Sequence, residues 1–389
     1  MKKLGLIVSA IVLLTALSLV AGCGSTTTPP VLTIGAVYGG SIHDAGYNEA
    51  LHDSIMKIKD NIANVTIIED ESVLTTGAAT AAMQLMINEG AKLIFVTAYD
   101  YYDAALNLSI AHPDVDFEWC GGGMNATANL GTFFGKPPEG WYLMGMAAAL
   151  MTKNLTNPKF GFVAAFPLGW TRTFINAFIL GAQSVYPPIV RNETSNTTSP
   201  SPVEVDVTYT YDWANLYLQT AATNALIDAG ASVITMHVDA PQAVIETAEG
   251  RGVYSVGFQS VKAQQFAPNY WICGTGMTFG DLLTPIAQSV IDGNFTGQVN
   301  LWGWDQGAMV LAPWGSSVNS TVRNAVLAAK AELEAGNRTV FQGPIYDTTG
   351  NIAQCHPGYY YALTENVTIP DWMQGWADDF YVWGVQGGE

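Results

Sequence analysis

The feature that most constrains this chain is an alternation of short apolar runs with helix-compatible stretches that starts near the amino terminus and starts again after residue 154. Residues 31–37 read as a buried first strand, and Asp44 opens a helical pattern through Lys59 as its N-cap. Residues 64–70, 92–97 and 115–120 read as further strands, separated by a helix over 76–89 and by a turn over 98–103 that leads into a short helix. A helix over 138–153, rich in small residues and so suited to tight packing, closes this first half. The second half repeats the scheme, with strands over 159–166, 203–211, 232–238 and 252–257 and helices over 171–186, 213–229 and 241–250. After residues 270–275 come helices over 280–292 and 319–335 and a polar strand-like run over 298–304. Strands that alternate with helices pair in parallel and are covered on both faces. The expectation is an α/β chain of two similar, Rossmann-like lobes.

Composition narrows the partners. With 389 residues, 49% of them hydrophobic and 12% charged, the chain can bury two cores. Its net charge of −18 argues against nucleic acid and anionic headgroups, which would be repelled. Lys2-Lys3 and the apolar run over 4–20 read as an export signal. The run is marginally short for a bilayer span of about 20 residues, and it ends in Leu19-Val20-Ala21-Gly22-Cys23, which has the form of a lipobox. Residues 1–22 are therefore expected to be a lipoprotein signal peptide, Cys23 the acylated mature N-terminus and residues 23–30 a flexible tether. That holds the protein on the extracytoplasmic face of the cell membrane through a lipid anchor. Cys120, Cys273 and Cys355 allow at most one disulfide, and no Cys/His spacing resembles a zinc site. Ten Asn-X-Ser/Thr sequons, at Asn64, Asn107, Asn125, Asn154, Asn192, Asn196, Asn294, Asn319, Asn337 and Asn366, are possible glycan sites in an exported protein.

Between the first strand and its helix lies Gly39-Gly40-Ser41-Ile42-His43-Asp44-Ala45-Gly46-Tyr47-Asn48, a polar turn that carries an aromatic ring. In open α/β sheets ligands sit at such carboxyl ends of strands, where helix N-termini also point their donors.

Several stretches together resemble the basic-membrane-protein family of PnrA-like solute-binding lipoproteins. They are Pro113-Asp114-Val115-Asp116-Phe117-Glu118, Phe160-Gly161-Phe162-Val163-Ala164-Ala165-Phe166-Pro167, Asn176-Ala177-Phe178 with Gly181-Ala182, Thr235-Met236-His237-Val238-Asp239-Ala240-Pro241 and Gly252-Val253-Tyr254-Ser255-Val256-Gly257, with the opening turn. The resemblance implies a type I periplasmic-binding-protein fold: two lobes joined by three crossings and a hinged cleft that closes on a purine nucleoside, a nucleobase or another heteroaromatic such as riboflavin. It also implies ABC permease and ATPase partners. The lobes are expected to comprise 31–154 plus about 272–297, and 155–271 plus about 298–389. Nucleoside-binding members usually hold ribose with an aspartate and a lysine, but those positions fall here at Gln259 and near Met277. The missing charges, with His237-Val238-Asp239-Ala240-Pro241 resembling base-binding members, lean the expectation toward a nucleobase.

A neutral purine needs aromatic walls for its faces and fixed polar groups for its edges. The candidates are Tyr47, Tyr99 and Tyr101 from the first lobe and Phe166, Trp170 and Trp213 from the second for the faces. Asp44, Asn48, His237, Asp239 and Gln259 are candidates for the edges. Each has a structural alternative: Asp44 as N-cap, Tyr47 as cover for the first helix, Tyr99 and Tyr101 as strand-end packing, His237 as a bonded core histidine, Phe166 as core. An enzyme using His237 and Asp239 as an acid/base pair is disfavoured, because there is no nucleophile elbow, phosphate loop or metal constellation. A receptor with no catalysis and no cofactor is the reading adopted; a sensory protein on the same fold is the alternative.

Overall fold

The computed structural model describes residues 31–121, 125–186, 191–192, 197–198, 203–311, 313–355, 361–362 and 381–387. The expected signal peptide, Cys23, the tether, Asn196 and Asn366 lie outside them.

The first half contains β1 (Leu32–Val37), α1 (Tyr47–Asn61), β2 (Val65–Asp70), α2 (Thr76–Asn88) and β3 (Leu93–Val96). A 3₁₀ turn (Tyr99–Tyr101), α3 (Tyr102–Ala111), β4 (Asp116–Cys120) and β5 (Leu130–Gly135) follow. The second half runs α4 (Pro137–Met151), β6 (Lys159–Ala164), α5 (Gly169–Gln183), the hairpin β7 (Arg191–Asn192) and β8 (Thr197–Thr198), β9 (Glu204–Tyr209), α6 (Leu216–Asp228), β10 (Val233–His237), α7 (Gln242–Gly250) and β11 (Tyr254–Gln259). Then come a 3₁₀ turn (Val261–Phe266), β12 (Trp271–Met277), α8 (Gly280–Ile291), β13 (Val299–Trp302), β14 (Met309–Leu311), α9 (Ser320–Glu334), the pair β15 (Gln354–Cys355) and β16 (Tyr361–Ala362), and β17 (Val385–Gln386).

Two sheets result, ordered β13-β5-β4-β3-β1-β2 and β14-β12-β11-β10-β6-β9-β17. Every pairing within them is parallel except β12 with β14. The α/β expectation holds, and the sheets correct the expected lobe boundaries. β12 stays in the second sheet, whereas β13 joins the first beside β5, a strand the sequence reading passed over. The chain thus changes lobe after β5, after β12 and after β13.

Helix α4, expected to close the first half, packs instead on α5 in the second lobe. Glycine makes this possible: a Cβ on Gly145 would lie 1.9 Å from the Phe178 carbonyl oxygen, and one on Gly181 would lie 1.9 Å from that of Tyr142. The helix axes approach closely, and Trp141 is buried among Phe162, Phe174, Phe178 and Phe258. Burying each such large apolar side chain stabilises by about 1.5–3 kcal/mol. Helix α8 crosses back to lie on α1, where Ser54 Oγ accepts the Phe279 N–H at 3.0 Å. One apolar cluster runs through these crossings, from Leu51, Phe95 and Phe133 to Trp141, Phe162 and Ile272. Among the described residues no helix is long and apolar enough to cross a membrane.

Candidate functional site

The carboxyl ends of both sheets face each other, and the opening turn lies between them. Its shape is fixed by Asp44. One carboxylate oxygen accepts the Gly46 N–H at 2.7 Å and the Glu49 N–H at 3.1 Å. The other accepts the Asn48 N–H at 3.1 Å and the Asn48 side-chain amide at 2.9 Å. Four bonds fill a carboxylate's roughly four acceptor positions. Burial nevertheless raises the Asp44 pKa above its ordinary value, and the four bonds pull against that rise. The N-cap position of α1 is Gly46 and not Asp44, but Asp44 builds the turn and accepts the first-turn amides of Asn48 and Glu49 from two residues upstream, and no acceptor position is left for a ligand.

Asn48 is buried and similarly committed. Its side-chain oxygen accepts the Gly40 N–H at 3.1 Å, so it ties the start of the turn to its end. The Tyr47 hydroxyl donates inward to the Thr97 carbonyl at 2.7 Å, and the half-buried ring stands as a wall at the end of β1, β3 and β4. Burial raises its pKa well above the ordinary tyrosine value.

Asp239, just past β10 in the second lobe, meets this turn directly. Its carbonyl oxygen accepts the Tyr47 N–H at 3.3 Å. A Cβ on Gly46 would sit 1.9 Å from the same oxygen, so the approach of the lobes requires glycine there. The Asp239 side chain, in contrast to Asp44, makes no hydrogen bond among the described residues. Burial, and secondarily the negative charge of Asp44 across the cleft, push its pKa up to about 7. Near neutrality this carboxyl switches readily between donor and acceptor.

The aromatic candidates separate into three groups. Tyr99, half exposed, packs across the cleft against Trp170 at 4.4 Å between centroids with the rings tilted by 57°, and is backed by Trp119 at 5.7 Å. Phe166 and Trp213 pack together at 5.5 Å on the rim of the second lobe, with Trp213 edge-on to His237 at 5.3 Å. Tyr101 is a correction. It is buried in the first-lobe core and its hydroxyl donates to the Val73 carbonyl, so its ring is turned away from the cleft. Tyrosines two apart would share one face of a strand, but the 3₁₀ turn sends them to different sides.

His237 is also structural. Thr171 holds its Nδ1 at 3.1 Å, Phe174, Trp213 and Phe258 surround it, and burial lowers its pKa to about 3. Such an imidazole stays neutral at physiological pH.

Gln259 ends β11 with φ +78°, a conformation that disfavours any residue with a side chain, and its buried Oε1 has no hydrogen-bond partner. It lines an interlobe cavity of about 290 Å³ with Ala50, Asp53 and Ser54 of α1, Lys262, and Met277 of β12. A strained backbone and an orphaned acceptor at one position mark a place where order has been kept for something other than stability. The sequence reading missed the residues that latch the lobes here. Lys262 reaches across to Glu49 at 2.6 Å and Asp53 at 2.7 Å. Glu49 and Asp53 lie one helical turn apart, which is readable in sequence, but their partner is some two hundred residues away. A larger cavity of about 530 Å³ lies against α4 and residues 337–343, on the second lobe alone. Its main polar group, Arg338, is already bonded to Tyr142 at 2.7 Å and Glu332 at 2.6 Å, and it is no part of the interlobe site.

Known proteins resemble this chain over most of its length. A purine-binding protein of Brucella abortus is 27% identical over 332 residues, which cover 84% of this chain and 88% of that one. A Haloferax volcanii protein named provisionally as an ABC transporter glucose-binding protein is 27% identical over 80% of this chain and 74% of its own. An ABC transporter solute-binding protein from Conexibacter woesei superposes with a TM-score of 0.64 at 16% identity, over 79% of this chain and 98% of that one. The model of the Bmp family, described as ABC transporter substrate-binding protein PnrA-like, matches residues 31–334, so this chain belongs to that family.

Proposed function

We propose that this chain is the receptor of an ABC importer for a purine nucleobase, captured between the lobes and handed to a permease. As a substrate-binding subunit of an ABC system it acts outside the cytoplasm. The observation that carries the ligand reading is the unbonded carboxyl of Asp239 set against the turn that carries Tyr47, in a cleft across which Tyr99 and Trp170 meet. A flat heterocycle gains from the rings, and its exocyclic amine or ring N–H supplies the donor that Asp239 lacks. Leaving such a group unpaired in a closed site costs about 1–3 kcal/mol, so Asp239 selects as well as binds. Gln259 and Met277 offer no charge to a ribose, which favours the base over the nucleoside. The name of the Brucella relative supports a purine, and that of the Haloferax relative makes a sugar the second reading.

The tilted Tyr99–Trp170 contact, the Lys262 latch and the Tyr47–Asp239 contact all join the two lobes, as a receptor closed on its ligand requires. We further assign residues 1–22 as a lipoprotein signal and Cys23 as the anchor; Cys23→Ala should release the protein into the medium.

Thermal shift separates the readings. Protein starting at Gly24, denatured and refolded to strip bound ligand, is melted with adenine, guanine, hypoxanthine, adenosine, guanosine, riboflavin and glucose. A ligand at one hundred times its Kd stabilises by about 2.7 kcal/mol. A shift with a base that exceeds the shift with its nucleoside supports the proposal; a shift with glucose alone replaces it.

A further inference from the structure

The sequons are too many and too well placed to be accidental. Of twenty-two asparagines, ten begin an Asn-X-Ser/Thr triplet, and nine of the ten have threonine in the third place. Serine and threonine make up 53 of the 389 residues, so chance supplies about three such triplets. All seven sequon asparagines whose side chains the structure describes are exposed, at positions 64, 107, 125, 154, 294, 319 and 337. The buried Asn48 and Asn176 and the half-buried Asn129, Asn224 and Asn300 all lie outside sequons. Position within the fold sharpens the pattern. Asn64 follows α1, Asn154 follows α4 and Asn294 follows α8, each in the loop that leads from a helix into the next strand. Those loops are at the amino ends of the parallel strands, on the side of each lobe away from the cleft. The cleft side carries none of these three. It shows exposed apolar groups instead, Tyr99, Tyr211 and Tyr217 among them.

Backbone geometry accounts for one asparagine but not for the triplets. Asn64 has φ +63°, which asparagine tolerates, yet this says nothing about Thr66 on the surface two residues on. We propose that this protein is N-glycosylated at Asn64, Asn154, Asn294 and Asn319, with the cleft mouth left bare. At these four both the asparagine and the third residue, Thr66, Thr156, Thr296 or Thr321, are exposed, so the triplet lies on the surface that a transferase meets. Asn319 caps α9 through its oxygen, which accepts the Val322 N–H at 3.1 Å, and keeps its nitrogen for the bond. Three other sequons fail this condition. Ser109 is buried within α3 with its hydroxyl on the Leu106 carbonyl, and the hydroxyls of Thr127 and Thr339 are buried without a partner.

The donor is a lipid-linked oligosaccharide supplied by a membrane transferase of the cell. The asparagine Nδ2 bonds to the anomeric carbon of the sugar and gives up a proton. The bond from that carbon to the lipid phosphate oxygen breaks, and the lipid phosphate leaves. Glycopeptide mass spectrometry on protein purified from membranes of the organism that makes it tests the assignment. The expected result is one glycan mass on each of the peptides carrying Asn64, Asn154, Asn294 and Asn319. Thr156→Ala and Thr296→Ala should each remove one glycan, and Thr156→Ser should retain it, with melting of the unglycosylated protein unchanged. Unmodified peptides at all four positions overturn the proposal, and so does equal modification of Asn107.

Discussion

The two walls of the cleft are built on opposite principles. On the first lobe Asp44, Asn48 and the Tyr47 hydroxyl spend their hydrogen bonds on one another and on nearby backbone, so the turn is a finished, stiff surface. On the second lobe the half-buried Asp239 carboxyl makes no hydrogen bond among the described residues, Gln259 Oε1 is buried without a partner, and Gln259 is held in a strained backbone. Under the proposed function, the difference places selectivity on the second lobe. A saturated wall supplies shape and stacking surface, whereas an unsatisfied wall discriminates, because its groups cost free energy unless the right ligand arrives.

The largest effect should come from preventing the walls from meeting. Gly46→Ala places a Cβ on the Asp239 carbonyl, so ligand affinity should fall by about a hundredfold or more, consistent with a steric block worth ~3 kcal/mol. Melting of the ligand-free protein should change little; calorimetry and a thermal melt read the two quantities.

Next is the discriminating wall itself. Asp239→Asn should weaken binding by about ten- to a hundredfold, the 1–3 kcal/mol of an unpaired polar group. The same substitution has a pH signature. The Asp239 pKa rises from 3.8 in the unfolded chain to about 7 in the fold, so the native state holds an extra proton between those values. Stability therefore falls as pH rises through that window. Asp239→Asn should remove the fall, and the melting temperatures of variant and wild type should diverge from pH 4 to pH 7.

Away from the cleft, Glu118 extends the contrast to the core. It is buried on β4 with one oxygen unpaired, and burial followed by the charge of Asp116 raises its pKa well above the ordinary value. Glu118→Gln should stabilise the protein at neutral pH by about 1 kcal/mol and leave binding intact. Tyr101→Phe is the matching control in the first-lobe core: it should cost about 1 kcal/mol of stability through the lost Val73 bond and leave affinity unchanged. The smallest effect belongs to Lys262→Met. Its ion pairs are partly exposed, so losing them should cost no more than about 1 kcal/mol of closure, and less in high salt.

These contrasts also show what a sequence can reveal. The strand–helix alternation was readable because it depends on local periodicity, and the role of Asp44 at the start of α1 because its partners lie within five residues. β5 and β14 were passed over. The first, Leu-Gly-Thr-Phe-Phe-Gly, carries glycine at two of its six positions, and the second has three residues. The lobe of α4 was illegible because Gly145 and Gly181 acquire meaning only against a helix thirty residues away. Tyr101 was misplaced because the stretch over 98–103 reads as a turn without revealing the 3₁₀ geometry that sends Tyr99 and Tyr101 to different sides. Asp44 is saturated by local bonds within five residues, whereas the burial of Asp239 against the opening turn follows from tertiary contacts that no local pattern shows.

Calorimetric titration of adenine into refolded wild type and Asp239→Asn, at pH 6 and pH 8, tests the central claim most directly. The account predicts saturable binding by the wild type that tightens as Asp239 ionises, and binding by the variant that is at least about tenfold weaker at pH 8 and insensitive to pH. Equal affinity of the two proteins, or no binding of adenine or any other purine base by the wild type, would contradict it.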